Sequence, residues 1–194
     1  MRATSRRSWP LVALMLLALA GGVNARSKAP APATPPTVQI HGTVQAAFAP
    51  WDDIEGIIVE RLAGARHQVL MQAYLLTNRK IVDALVAAHA RGVDVKVMMD
   101  RGQLDNNSTD RLHQLRAAGI PVWFETIYRS AHNKVIVIDA GQTSAAVITG
   151  SFNFTWSAQH RNAENILVLA GDGALVGRYA ANWERHREDA EAAP

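Results

Sequence analysis

Apolar and polar positions along this chain switch repeatedly between a period of two and a period near 3.6. Val38 to Ala49 alternates loosely and predicts a first strand, with Gly42 a bulge position and Pro50 its end. Asp52-Asp53 then opens a helix that runs to about Ala65, with acids in the first turn where the helix dipole favours them. Val69 to Leu76 is an apolar run and predicts a second strand. Thr77 or Asn78 caps a helix from Arg79 to Arg91, which Gly92 ends. Val93 to Met99 predicts a third strand, Asp100 to Asn107 a polar loop, and Ser108 or Thr109 the cap of a helix to Ala118. Ile120 to Phe124 is a fourth strand, and Glu125 to Ala131 a loop. Lys134–Ile138, Ala145–Thr149 and Asn165–Leu169 follow as strands. Leu175, Val176, Tyr179, Ala180 and Trp183 lie at helical spacing in a closing helix from Gly173 to about Glu188. Strands alternating with helices, then strands in succession, predict an α/β three-layer sandwich, a mixed central sheet flanked by helices.

The ends of the chain change the charge argument. Arg2, Arg6 and Arg7 precede the apolar run Leu11 to Ala20, and Val23-Asn24-Ala25 supplies small residues behind it. This is the pattern of an export signal over residues 1–25, cut after Ala25 to leave no membrane span, with an uncleaved anchor as the alternative, and it places the protein in the periplasm or outside the cell. Residues 26–37 are rich in proline and alanine and read as an extended linker. Residues 38–194 are left as a single catalytic domain. Three of the 20 Lys and Arg lie in the signal and none of the 17 acids does, so the mature chain carries 17 of each. A global polycation argument for binding nucleic acid therefore fails, and attraction for a polyanion has to be local. Arg129, Lys134 and Arg161 flank the densest motif and can supply it, although a plain solvated surface accounts for the two arginines equally well. There is no cysteine, which excludes disulfides, thiolate metal ligands and thiol nucleophiles.

The chemistry concentrates between His132 and Asn165. Within A-H-N-K-V-I-V-I-D, His132, Lys134 and Asp139 stand in the order His-x-Lys-x4-Asp. Side chains two apart on an extended chain share a face, which sets an imidazole beside an ammonium. That pair suits a phosphodiester: the imidazole attacks phosphorus or shuttles a proton, and the ammonium offsets charge on a non-bridging oxygen. Asp139 has the opposite parity and sits at the far end of the strand, so its expected role is structural. Ser151 and Asn153 are again two apart, and a hydroxyl and an amide can hold phosphate oxygens without a metal. Glu164 offers a carboxylate to orient the imidazole.

These residues together, with Gly150-Ser151-Phe152-Asn153 and Asn162-Ala163-Glu164-Asn165, resemble the phospholipase D superfamily, most of all its compact, single-motif, bacterial EDTA-resistant endonuclease branch. The likeness runs from about Val38 to the C-terminal helix. It implies the sandwich fold already read from the pattern. It also implies a metal-independent phosphodiesterase with no cofactor, working through a phosphohistidine. Catalysis would fall to His132, Lys134 and Glu164, and phosphate binding to Lys134, Ser151 and Asn153.

The remaining histidines, His41, His67, His89, His113, His160 and His186, are scattered, and none pairs with a carboxylate at a metal-binding helical spacing. Trp123 and Phe124 read as strand core, while Trp156 lies close enough to the motif to touch a substrate. Such a mechanism needs two imidazoles, and the chain holds a single His-x-Lys. Either His160 serves, or a second copy brings its own His132, which makes the expected enzyme a homodimer with one shared site. The expected function is a nonspecific endonuclease, with two alternatives beside it. Length and motif context favour a nonspecific endonuclease on DNA or RNA; the near-zero charge favours a phospholipase D acting on phospholipid headgroups; an inactive nucleic-acid-binding module is disfavoured by the full set of reactive groups. A nuclease calls for a basic groove at the site. A lipase calls for an apolar rim.

Overall fold

The computed structural model describes residues 34–35 and 37–194. The expected export signal and most of the linker lie outside them. Val38–Pro194 forms one compact unit.

Eight strands make one sheet in the order β1-β7-β6-β5-β2-β3-β4-β8. They are β1 (Thr43–Ala49), β2 (Gln68–Ala73), β3 (Asp94–Asp100), β4 (Val122–Glu125), β5 (Lys134–Ile138), β6 (Ala146–Gly150), β7 (Glu164–Ala170) and β8 (Glu191–Ala192). The strands β2, β3 and β4 run parallel, joined through α2 (Arg79–Ala90) and α3 (Asn106–Ala117). All other neighbours are antiparallel. The sheet is therefore mixed, as the pattern predicts.

Both faces are covered. One face packs under α1 (Ile54–Gly64), α2 and α3, through Ile58, Leu62, Ile81, Leu85 and Leu115. The other packs under α5 (Gly173–Asp189), through Val176 and Trp183. This explains the unbroken Val135-Ile136-Val137-Ile138 run: Ile136 and Ile138 enter the first core, Val135 and Val137 the second. Trp183 is fully buried, donates its indole N–H to the Met71 carbonyl at 3.0 Å and meets Trp123 edge to face. Truncating it to alanine costs about 3–5 kcal/mol.

Several boundaries differ from the sequence reading. The first strand starts at Thr43, and Gly42 is no bulge, because the Thr43–Ala170 ladder pairs in register. A Cβ on Gly42 would lie 2.1 Å from the Ala170 carbonyl oxygen, so glycine is required by close approach of backbones. Asp105, not Ser108 or Thr109, caps α3: its carboxylate accepts from the Ser108 N–H while the Ser108 hydroxyl receives the Asp105 N–H, a reciprocal box. Three short elements escaped the pattern: a 3-10 turn at Arg101–Gln103, α4 (Trp156–His160) and β8.

Candidate active site

The strand ladders bring the motif together at one end of the sheet. Ala73 at the end of β2 pairs with Lys134 at the start of β5, Val135 with Thr149, Gly150 at the end of β6 with Ile166, and Ala49 at the end of β1 with Glu164. His132, Lys134, Ser151, Asn153 and Glu164, far apart in sequence, are therefore gathered on that edge.

His132 is solvent-exposed on the segment leading into β5, and both of its neighbours are anchored. The Ala131 N–H donates to the buried Asp100 carboxylate at 2.6 Å, and the Asn133 carbonyl accepts from the Tyr74 N–H at 2.9 Å. The imidazole is thus presented from a fixed backbone, and its ring packs 4.3 Å from that of Tyr74.

Lys134 is only 6% exposed. Its ammonium donates to the His132 carbonyl at 3.0 Å and lies 4.7 Å from the centre of the Tyr74 ring. Burial pushes its pKa below the ordinary lysine value, and the charge of Glu164 partly offsets this. A largely buried cation beside an exposed imidazole is suited to gain from an incoming phosphoryl anion.

Gly150 allows the next turn. A Cβ there would stand 2.2 Å from the Asn165 carbonyl oxygen. Ser151 is exposed, and its Oγ accepts from the Asn165 N–H at 3.0 Å and the Asn165 side-chain amide at 3.3 Å. Its own proton is therefore left to donate to a phosphate oxygen. Phe152 and Phe154 are buried on either side of the half-buried Asn153, the alternation expected of extended chain. The Asn153 Oδ1 is buried without a hydrogen-bond partner.

Glu164 accepts from the Asn162 side-chain amide at 3.0 Å. The expected bond from Glu164 to the imidazole of the same chain is not formed; its electrostatic partner within the chain is Lys134. Asp139, at the opposite end of β5, is fully buried. It accepts from the backbone N–H groups of Arg66, His67 and Gln68 and from the Ser144 hydroxyl. Burial alone would raise its pKa, but these donors hold it below the ordinary aspartate value. It ties β5 to the start of β2 and takes no part in the edge where the motif gathers.

His160 is exposed and stacks on Trp156 at 4.6 Å, with the Arg161 guanidinium 5.1 Å from the same ring. Among the described residues no group of three or more histidines and acids converges as a metal site. None of the described helices is long and apolar enough to cross a membrane. Sequence reasoning missed Tyr74 and Asp100. The only signal for either was its place at the end of a predicted strand, where α/β folds collect ligand contacts.

Residues 58–187 match the family model described as cardiolipin synthase, PLD-like domain, and the chain belongs to that family, within the phospholipase D superfamily. It is 41% identical over 140 residues to a phospholipase D of Rickettsia bellii, covering 72% of this chain and 67% of that one. The chain thus spans about two thirds of that relative's length. Among solved structures it is similar to Nuc, a phospholipase D family member of Salmonella typhimurium, with a TM-score of 0.74, 30% identity, and coverage of 79% of this chain and 99% of Nuc. It shares the fold of NucT from Helicobacter pylori, with a TM-score of 0.69, 20% identity, and coverage of 79% of this chain and 100% of NucT. The protein is a hydrolase of this superfamily.

Proposed function

We propose that this hydrolase cleaves its phosphodiester without a metal, through a phosphohistidine on His132, and that its substrate is a phospholipid. The observation that carries the chemistry is the buried Lys134 ammonium held beside an exposed imidazole by a shared contact with Tyr74. A ring nitrogen of His132 forms a bond to phosphorus as the bond to the leaving alcohol breaks. A second imidazole protonates the leaving oxygen. It then removes a proton from water, which attacks phosphorus and releases His132. Lys134, Ser151 and Asn153 hold the non-bridging oxygens, and the Glu164 carboxylate favours the charged form of an imidazole next to it. The second imidazole is His132 of a second copy, so the working unit is a homodimer with one composite site. Supporting this, His160 is engaged with Trp156, and Glu164 makes no bond to the imidazole of its own chain.

For the substrate, the rim around the site supports the phospholipid reading over the expected endonuclease. Phe48, Trp51, Ile127, Tyr128 and Trp156 are all exposed there, and of the cations at this end Arg79, Lys80 and Arg101 are paired with acids, which leaves Arg129 and Arg161. An apolar rim supports a lipase, as does the likeness to a relative named phospholipase D. A nonspecific endonuclease on DNA or RNA is the second reading, supported by the motif context and by the likeness to Nuc, whose chain is covered almost whole. The purified chain, assayed in chelator on phosphatidylcholine and plasmid DNA in parallel, should release headgroup alcohol and leave the plasmid largely intact. Rapid nicking without headgroup release would replace the first reading with the second.

A further inference from the structure

We infer that the aromatic and basic rim beside the site is a docking surface for the anionic face of a lipid bilayer, anchored by Trp51 and Trp156 with Arg161 as the headgroup contact. This rests on the phospholipid reading of the same site.

Five of the nine large hydrophobic side chains exposed among the described residues crowd the catalytic end: Phe48, Trp51, Ile127, Tyr128 and Trp156. They come from three separate segments, the end of β1 with its turn into α1, the loop from β4 to β5, and α4. Trp51 is 84% exposed and Trp156 52%. Exposing indoles in water is unfavourable, whereas an amphipathic ring at headgroup depth keeps its apolar body in the acyl boundary and its N–H wet. The platform is fixed in place. Gln159 of α4 donates to the Asp52 carbonyl at 2.9 Å and accepts from the Glu55 N–H at 3.0 Å, so the two tryptophans flank a tied junction.

The charges are arranged for an anionic surface. Asp52 and Asp53 are used within their own turns, accepting from the Phe48 and Gly56 N–H groups. Glu55 is buried against Asn78 and Lys80, Asp100 is buried on the Ala131 N–H, Glu125 is buried against His186, the half-buried Glu164 accepts from Asn162, and the exposed Glu191 is paired with Arg101. Arg161 and Arg129 form no ion pair among the described residues, and Arg161 lies over the Trp156 ring, placing a cation at the edge of an interfacial aromatic. A phospholipid whose headgroup reaches His132 has its bilayer at the height of this rim.

The test is flotation of the full chain with vesicles of phosphatidylcholine, with and without phosphatidylglycerol, alongside turnover of soluble bis(p-nitrophenyl) phosphate. Wild type should float, and float more with phosphatidylglycerol. Trp51→Ala should lose roughly tenfold in partitioning and keep wild-type turnover of the soluble diester. Trp156→Ala should lose partitioning as well, and Arg161→Gln should lose the preference for anionic vesicles. Wild type that does not float, or Trp51→Ala that floats as well as wild type, overturns the proposal. So does Trp51→Ala dissociating a dimer in sedimentation, which makes the rim a subunit interface. Loss of oligonucleotide binding with flotation unchanged also overturns it and makes the rim a base-stacking platform. If wild type floats but turns over no diester, docking stands and the phosphodiesterase reading fails.

Discussion

The Lys134 ammonium lies 4.7 Å from the centre of the Tyr74 ring, and the same ring packs 4.3 Å from the His132 imidazole. One aromatic side chain from the end of β2 thereby sets the spacing of the two groups that the proposed chemistry needs. Tyr74→Ala should lower kcat about tenfold, in keeping with ~1–2 kcal/mol for a largely desolvated cation–π contact. Tyr74→Phe keeps the ring and should retain most activity. Equal losses in both variants would point to the phenol hydroxyl instead.

Asp100 acts on His132 at one remove, through the Ala131 N–H. Asp100→Ala releases that anchor and should reduce kcat by roughly 10- to 100-fold, since small misplacements of a nucleophile are costly. KM should stay near wild type, because the proposed phosphate ligands Lys134, Ser151 and Asn153 are unchanged. A rise in KM with unchanged kcat would contradict the positioning role.

The depressed pKa of Lys134 sets activity against stability. The unfolded chain binds a proton at this lysine more tightly than the folded one, so burial of the charge costs stability at neutral pH. That cost is relieved as pH rises through the lowered folded pKa towards the ordinary lysine value. Lys134→Met should abolish about 99.9% of turnover and raise Tm by roughly a few degrees at pH 7. The gain should shrink as the pH becomes alkaline. A lower Tm at pH 7 would contradict it.

Asp139 has the opposite sign. Its folded pKa lies below the unfolded one, so its stabilisation is complete above the ordinary aspartate pKa and is lost as pH falls through that value towards the folded one. Asp139→Ala should cost about 2–3 kcal/mol at pH 7 and leave kcat of the folded fraction close to wild type. The stability gap to wild type should narrow below pH of about 4. A large loss of kcat in folded protein would move Asp139 into the site.

How legible this molecule was depended on the range of the interaction. The run Val135 to Ile138 announced a strand buried on both faces, and the parity of His132, Lys134 and Asp139 separated the site from the strand end. Tyr74 and Asp100 could not be seen in this way. Their relation to His132 depends on β2 pairing with β5 in register and on the loop from β4 crossing back to β5, and neither pairing has a local signature. The α4 helix is a single turn, too short for a period to show, and β8 has two residues. Asp105 was overlooked as a cap because two equally good cap residues follow it.

The shared-site model predicts how subunits should mix. Wild type titrated with excess His132→Ala should lose activity more steeply than simple dilution allows, because each mixed dimer lacks one of its two imidazoles. Strictly linear dilution, or sedimentation of an active monomer at assay concentration, would contradict the composite site.

Trapping the intermediate tests the phosphohistidine on His132 most directly. Enzyme quenched during turnover in chelator should carry the substrate's phosphatidyl group on a ring nitrogen of His132 through an acid-labile P–N bond, found by mass spectrometry of the peptide that contains it. His132→Asn should bind substrate and carry no adduct. Turnover that stops in EDTA and returns with a divalent ion, with no adduct on His132, would contradict the account.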